Sequence, residues 1–126
     1  MKMILAIGLG GALGALSRHF MNTGIAAFLK APFPWGTLCV NVLGCFVMGV
    51  FVAAFAAFGN PSQEVRAFLT VGLLGGFTTF SAFSLDAMNL WTAGDIKGAL
   101  LYVTASVVLS IAAIFLGSFI VWKFVS

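Results

Sequence analysis

The chain has 126 residues, of which 62% are hydrophobic and 7% are charged, and its net charge is +3. A soluble domain carries about 25% charged residues, so this composition predicts an integral membrane protein. At roughly 20 to 28 residues a span, the length allows four helices and leaves no room for a soluble catalytic domain. The six scattered basic residues suggest neither nucleic-acid binding nor a polybasic lipid-binding tail.

The first predicted span covers residues 3–29 and contains Arg18. A charge inside a span costs about 2.5 to 3.5 kcal/mol on insertion scales, so Arg18 should face protein or water. Gly10 and Gly14 form a GxxxG pattern on the same stripe, which is typical of helix packing. The apolar start could also be a signal peptide, but apolar residues resume after Arg18.

The second predicted span covers residues 35–58, after a connection with two prolines. Thr37 and Asn41 lie on one stripe, and Asn41 should lie well inside the hydrocarbon. Such an Asn can simply bond a neighbouring helix, so packing and function remain equal alternatives. Cys39 and Cys45 lie on different faces without metal or redox spacing, which predicts buried free thiols.

The third predicted span covers residues 63–93 and would be about 46 Å long as a continuous helix, against a hydrocarbon core of about 30 Å. Gly75 and Gly76, followed by Thr78 and Thr79, predict a break at its centre, because glycine and β-branched residues weaken a helix. A broken helix exposes carbonyls of its first half and amides of its second half. The break therefore indicates ion handling.

Phe80 and Phe83 follow the break and share nearly the same helix face. Aromatic ring edges are electropositive, so two rings turned edge-on can line an anion path without a full charge that would trap the ion. Together with the Asn41 amide and nearby hydroxyls, they predict a weak-field, donor-rich lining. The alternative is that they are packing residues, two among 14 phenylalanines.

The fourth predicted span covers residues 96–124 and carries a hydroxyl stripe formed by Tyr102, Ser106 and Ser110. Ser can also bond its own backbone, so the stripe alone is weak evidence. Basic residues are almost evenly divided between the two sides of this topology, three against two or three. The small bias predicts insertion in both orientations and pairing with an inverted copy, while a single fixed orientation remains open.

The chain resembles the Fluc (CrcB) fluoride channel family over its whole length. Residues 75–84 resemble the family's GGxTTFSTFS signature, and residues 36–41 resemble its GTxxxN motif. Arg18 matches the basic residue of the first helix, and the hydroxyl stripe matches the polar track of the fourth. Two positions depart from the pattern: Ala82 replaces the second Thr of the signature, and Asp86 stands where the family commonly has Glu.

The resemblance implies an antiparallel, dual-topology homodimer that exports fluoride passively from the cytoplasm across the bacterial inner membrane. It implies two pores, each bordered by Phe80 of one subunit and Phe83 of the other, and a vestibule at Arg18. It also implies a structural, non-transported Na⁺ at the dimer axis, held by the main-chain carbonyls of Gly75 and Thr78. The predicted pore-lining residues are Phe80, Phe83, Asn41, Thr37, Thr79, Ser81, Ser84, Tyr102, Ser106 and Ser110.

Other classes fit the residues less well. A small multidrug exporter needs an embedded carboxylate, usually in its first helix, whereas Asp86 is in the third. Proton-coupled fluoride transport would need an embedded acid–base pair. A structural assembly subunit would explain the glycines but not the phenylalanine pair beside Asn41. An enzyme is not expected, because no nucleophile–base pair or metal cluster is recognisable.

Overall fold

The computed structural model describes residues 1–126, and all of its regular secondary structure is helical. Four helical segments are long and apolar enough to cross a membrane. The predicted all-α class with four membrane-spanning segments is therefore confirmed. The elements in chain order are α1 (Lys2–Leu29), α2 (Trp35–Phe58), α3 (Gln63–Ala67), a π-helical segment (Phe68–Leu74), α4 (Gly75–Phe77), α5 (Phe80–Thr92) and α6 (Ile96–Val125).

The ends of the helices follow from local chemistry. Lys30 adopts a left-handed conformation with φ 46° after α1, and its amide bonds the carbonyl of Ala26, as at many helix C-termini. The Ser62 hydroxyl accepts the amide of Val65 at 3.3 Å at the start of α3. The Asp95 carboxylate accepts the amide of Gly98 at 2.9 Å at the start of α6. Each such N-cap stabilises its helix by about 1 kcal/mol.

Glycines allow the helices to pack backbone against backbone. A Cβ atom on Gly10 of α1 would lie 2.9 Å from the amide nitrogen of Leu73 in the π-helical segment. A Cβ atom on Gly117 of α6 would lie 3.1 Å from the amide nitrogen of Val50 in α2. Close approach of this kind is typical of helix pairs in membranes. The chain thus contains two tight pairs, α1 with residues 63–77 and α2 with α6, and α5 packs mainly against α6.

The third membrane-crossing segment contains two extended residues. Thr78 has ψ 156° and Thr79 has φ −153° and ψ 120°, between α4 and α5. The sequence argument placed the opening near Gly75 and Gly76, but both glycines are helical. The reason lies in packing: Gly76 lies against α1, where an added Cβ atom would be 3.1 Å from the Cα atom of Gly11. Gly76 serves close packing, and the threonines carry the extended backbone.

Little of the chain is buried within itself. Only 19 of 126 residues are buried, and large apolar side chains are exposed along every long helix. A soluble protein would not expose so much apolar surface, so lipid or another protein must cover it. The one buried cluster lies between α2, α5 and α6 and consists of Leu38, Phe83, Leu90, Ala99 and Tyr102.

Candidate ion pathway

An open groove of about 310 Å³ lies beside the two extended threonines. It is formed by α2, the junction of α4 with α5, and α6. We call it the break groove, and its lining residues are Asn41, Cys45, Thr78, Thr79, Phe80, Phe83, Ser106, Val107, Ser110 and Ile111. Six of the ten predicted pore-lining residues are thus brought together at one place.

Asn41 holds the extended backbone in place. Its Nδ2 donates to the carbonyl of Thr79 at 3.0 Å, and its Oδ1 accepts the amide of Thr79 at 2.7 Å. The Asn41 side chain therefore satisfies both backbone groups of Thr79, which the interrupted helix leaves without helical partners. Its second amide hydrogen is not used in these two bonds. Asn41 can thus fix the backbone and still offer a donor to the groove.

Phe80 and Phe83 form a tilted pair with ring centroids 5.3 Å apart and planes at 50°. The Phe83 side chain is 8% exposed and packs against Tyr102, whereas Phe80 is 78% exposed. One ring therefore belongs to the interior of the chain, and the other projects from it. Phe80 can therefore border an enclosed path only if a second protein surface lies opposite its exposed ring.

The hydroxyl groups of the predicted lining fall into two sets. Ser106 is buried in the break groove with no partner for its Oγ, and Ser110 lies beside it half-buried. In contrast, Ser81 and Ser84 are exposed and line neither of the two cavities described here. The Ser84 hydroxyl donates to the carbonyl of Phe80 at 2.9 Å. Ser106 is the hydroxyl best placed to bind an ion in the groove.

Thr79 has a local structural role as well as a place in the groove. Its Oγ1 accepts the amide of Ala82 at 3.1 Å, which caps the N-terminus of α5. The same Oγ1 lies 3.3 Å from the hydroxyl of Ser81. The helix after the break therefore begins with a satisfied cap.

A second cavity of about 280 Å³ lies at the end of the bundle that holds the connection between α1 and α2. We call it the loop cavity, and its lining residues are Asn22, Ile25, Ala26, Leu29, Ala31, Pro32, Phe33, Pro34, Trp35, Gly36, Thr37 and Asp86. Thr37 and Asn41 are one turn apart on α2, so neighbouring turns of this helix line the two cavities. The same holds for Asp86 and Phe83 on α5.

Tyr102 lies between the break groove and the loop cavity. Its side chain is completely buried, and its hydroxyl donates to Asp86 Oδ2 at 3.2 Å. Its ring packs on Phe83 of the break groove, with centroids 5.3 Å apart, and on Phe33 of the loop cavity, with centroids 5.6 Å apart and planes at 88°. Aromatic rings and one hydroxyl thus separate the two cavities.

The carbonyl of Gly75 lacks the amide donor that a continuous helix would give it. The amide of Thr79 would bond the carbonyl of Gly75 in a continuous helix, but it donates to Asn41 instead. Gly75 is exposed, and Thr78 is half-buried with its hydroxyl donated to the carbonyl of Leu74 at 2.8 Å. A neutral carbonyl oxygen without an amide partner can bind a hard cation.

Four further residues lie outside the predicted pore lining, among them the predicted vestibule residue Arg18. Arg18 is half-buried on α1 and lines neither cavity. Cys45, predicted to be buried, is half-buried and lines the break groove. Its position four residues after Asn41 was the sequence signal, because the two share a helix face. Asp86 and Asn22 line the loop cavity, where Asn22 Oδ1 is buried without a partner.

Comparison with known proteins gives consistent matches over nearly the full length. The family described as CrcB-like protein, Camphor Resistance (CrcB), matches residues 5–118. A fluoride-specific ion channel FluC of Rhodospirillum centenum is 50% identical over 117 residues, which cover 93% of each chain. Proteins of the same name from Chelativorans sp. and Rhodopseudomonas palustris are each 51% identical. They cover 93% and 90% of this chain and 94% and 91% of the relatives.

Proposed function

This chain belongs to the CrcB-like family, and from that premise we propose that it is a fluoride-specific ion channel rather than an enzyme. Fluoride enters a cell as the neutral acid and is trapped inside as the anion, so a passive path is enough to export it. We propose that the channel lies in the bacterial inner membrane and protects the cytoplasm in this way. Its four apolar helices make it a multi-pass membrane protein.

The observation that carries the proposal is the composition of the break groove. Phe80, Phe83 and the free hydroxyl of Ser106 meet there without any basic side chain. Ring edges and hydroxyls offer partial positive charge to a small anion but do not bind it tightly enough to stop conduction. We propose that fluoride passes along this groove, with Asn41, Ser106 and Ser110 as donors.

We further propose that the working unit is an antiparallel homodimer of dual topology with two pores. Phe80, Gly75 and Ser81 are exposed in a single chain although they flank the predicted path. An inverted second copy would supply the surface that Phe80 lacks, so that each pore is bordered by Phe80 of one subunit and Phe83 of the other. Arg18 would then raise the local concentration of anions at a vestibule.

We propose that a structural Na⁺ lies at the dimer axis, held by the carbonyls of Gly75 and Thr78 of both subunits. The support is the diverted amide of Thr79, which leaves the carbonyl of Gly75 without its helical donor. Divalent ions normally recruit carboxylates, and no acidic residue lies between residues 65 and 85. Bound there, the ion would neutralise the carbonyl dipoles that meet at the axis.

The purified protein in fluoride-loaded liposomes is expected to release fluoride passively and much faster than chloride. The physical reason is that the compact fluoride ion can use the ring-edge and hydroxyl donors of the groove, whereas larger halides fit them poorly. A fluoride electrode and a chloride electrode measure the two rates, with a potassium carrier present to dissipate the membrane potential. Equal release of both halides, or fluoride release only with a proton gradient, would contradict the channel.

Removal of Na⁺ is expected to lower fluoride flux or the stability of the dimer, without Na⁺ flux accompanying fluoride. The measurement replaces Na⁺ exhaustively by a bulky organic cation and follows fluoride release and oligomeric state together. Thr78→Ser is the matched control and should be mild, because the proposed ligand is a main-chain oxygen and serine keeps the hydroxyl that bonds Leu74. Unchanged flux in protein shown to have lost its bound ion would argue against the site.

A further inference from the structure

Asp86 is an unexpected group beside an anion pathway. The chain has three acidic residues; Glu64 lies in the first turn of α3, and Asp95 caps α6. Asp86 alone lies within α5, one turn from Phe83, where it lines the loop cavity together with Thr37. A carboxylate repels a passing anion, so the position of Asp86 beside the proposed pathway calls for an explanation.

The contact of Asp86 with Tyr102 supplies a reason. The Tyr102 hydroxyl donates to Asp86 Oδ2 at 3.2 Å, and the tyrosine ring is completely buried. A buried hydroxyl without a partner costs free energy, and an ionised carboxylate is a stronger acceptor than a neutral group. Asp86 therefore satisfies Tyr102 when no ion is near.

Tyr102 also occupies the place where the two cavities approach each other. Its ring contacts Phe83, which lines the break groove, and Phe33, which lines the loop cavity. Ser106, which follows Tyr102 by one turn of α6, has a free hydroxyl in the break groove. An ion that leaves Ser106 toward the loop cavity therefore meets the Tyr102 hydroxyl next, already bonded to Asp86.

We propose that Asp86 is a built-in competitor for the permeating anion at the Tyr102 hydroxyl. The proposal rests on the proposed channel function. When fluoride arrives, the hydroxyl turns from the carboxylate to fluoride, and it returns to Asp86 when the ion moves on into the loop cavity. Only a hydrogen bond is exchanged, and the proton stays on the tyrosine. The carboxylate thus prevents fluoride from being held at Tyr102 and speeds its release.

Tyr102 is the only tyrosine of the chain, which makes the exchange directly observable. Tyrosine labelled with carbon-13 at Cζ gives one resonance for each environment of Tyr102. The chemical shift of this resonance reports the hydrogen-bond partner of the hydroxyl. Sodium fluoride added to the intact protein in detergent or nanodiscs should move this resonance, and sodium chloride at equal ionic strength should not. A wild-type protein that conducts fluoride while the resonance stays in place would overturn the proposal without contradicting the channel.

Asp86→Asn tests the competition itself. The resonance should shift before any fluoride is added, because the acceptor loses its charge. The fluoride midpoint, which is the fluoride concentration that produces half of the shift, should fall by about tenfold, because a charge-assisted hydrogen bond is roughly twice as strong as a neutral one. Glu64→Gln removes an acidic side chain at the start of α3 and should leave the midpoint unchanged. An unchanged midpoint in Asp86→Asn would overturn the proposal.

Flux measurements separate this competition from simple charge repulsion. Asp86→Asn should lower fluoride flux in the wild-type background, because fluoride leaves Tyr102 more slowly. It should hardly change the flux in the Tyr102→Phe background, because phenylalanine has no hydroxyl for the two acceptors to share. An equal change in both backgrounds would mean that Asp86 acts only through its charge, and the proposal would fail. If wild-type protein carries no fluoride at all, the channel itself is refuted, whereas the shift of the fluoride-free resonance still tests the contact.

Discussion

Replacing Phe83 or Phe80 by isoleucine is expected to lower fluoride flux by about a hundredfold. The lost contact between the ring edge and the anion should be comparable to a hydrogen bond to a charged group, which contributes about 1.5–3 kcal/mol, and each 1.36 kcal/mol of barrier is a factor of ten. Isoleucine keeps much of the volume and the apolar character but has no electropositive ring edge. The two rings lie side by side, with centroids 5.3 Å apart at the break groove. Fluoride release from liposomes measures the loss.

Phe28→Ile is the matched control for this pair. Phe28 is 86% exposed near the end of α1, and it lines neither cavity. The same change there should leave flux nearly unaltered. Because Phe83 is 8% exposed within the buried cluster, size-exclusion chromatography must also show that Phe83→Ile remains assembled. An assembled Phe83→Ile protein that conducts at the wild-type rate would contradict the edge-on lining.

The sequence was sufficient to predict the helical class and the four membrane-spanning segments. Long apolar runs separated by prolines, glycines and polar residues leave few alternatives when every backbone group must find a partner inside the membrane. The π-helical segment Phe68–Leu74 was not predicted. The residues of a π-helical turn differ little in composition from those of an α-helix. Such turns often occur near functional sites. Periodicity alone does not distinguish the two.

The partners of the polar residues could not be predicted in the same way. Asn41 and Thr79 are separated by 38 residues, and their contact depends on the rotation of α2 against the third segment. The sequence showed only that an Asn at this depth needs a partner. Likewise, Tyr102 belongs to a stripe with Ser106, but its hydroxyl bonds Asp86 on α5. Helical spacing predicts the face of a residue, whereas its partner depends on how the helices pack.

This difference changes the interpretation of Asn41. From the sequence, Asn41 is a donor in a weak-field lining; in the structure it also fixes Thr79, the residue that caps α5. Because α5 starts at Phe80, the direction of both phenylalanine rings depends on the backbone that Asn41 holds. A change at Asn41 should therefore affect conduction through the backbone geometry as well as through the lining.

Asn41→Asp is expected to lower fluoride flux by about a thousandfold, because two like charges 4 Å apart repel by about 4 kcal/mol at an effective dielectric of 20. An ionised Asp keeps one oxygen for the amide of Thr79 but has no hydrogen for the Thr79 carbonyl, which it would repel. The new charge also faces the path of an anion. Fluoride release from liposomes measures the combined effect in protein shown to be assembled.

Two further variants separate these causes. Asn41→Leu removes both bonds to Thr79 without adding a charge, so it should lower thermal stability, because each unpaired backbone group costs about 1–3 kcal/mol. Its flux should fall less than that of Asn41→Asp, because no like charge faces the ion. Asn89→Asp makes the same chemical change at an exposed position near the end of α5 and should conduct normally. If assembled Asn41→Asp protein conducts as well as Asn89→Asp, Asn41 neither lines the path nor holds the backbone on which the two phenylalanines depend.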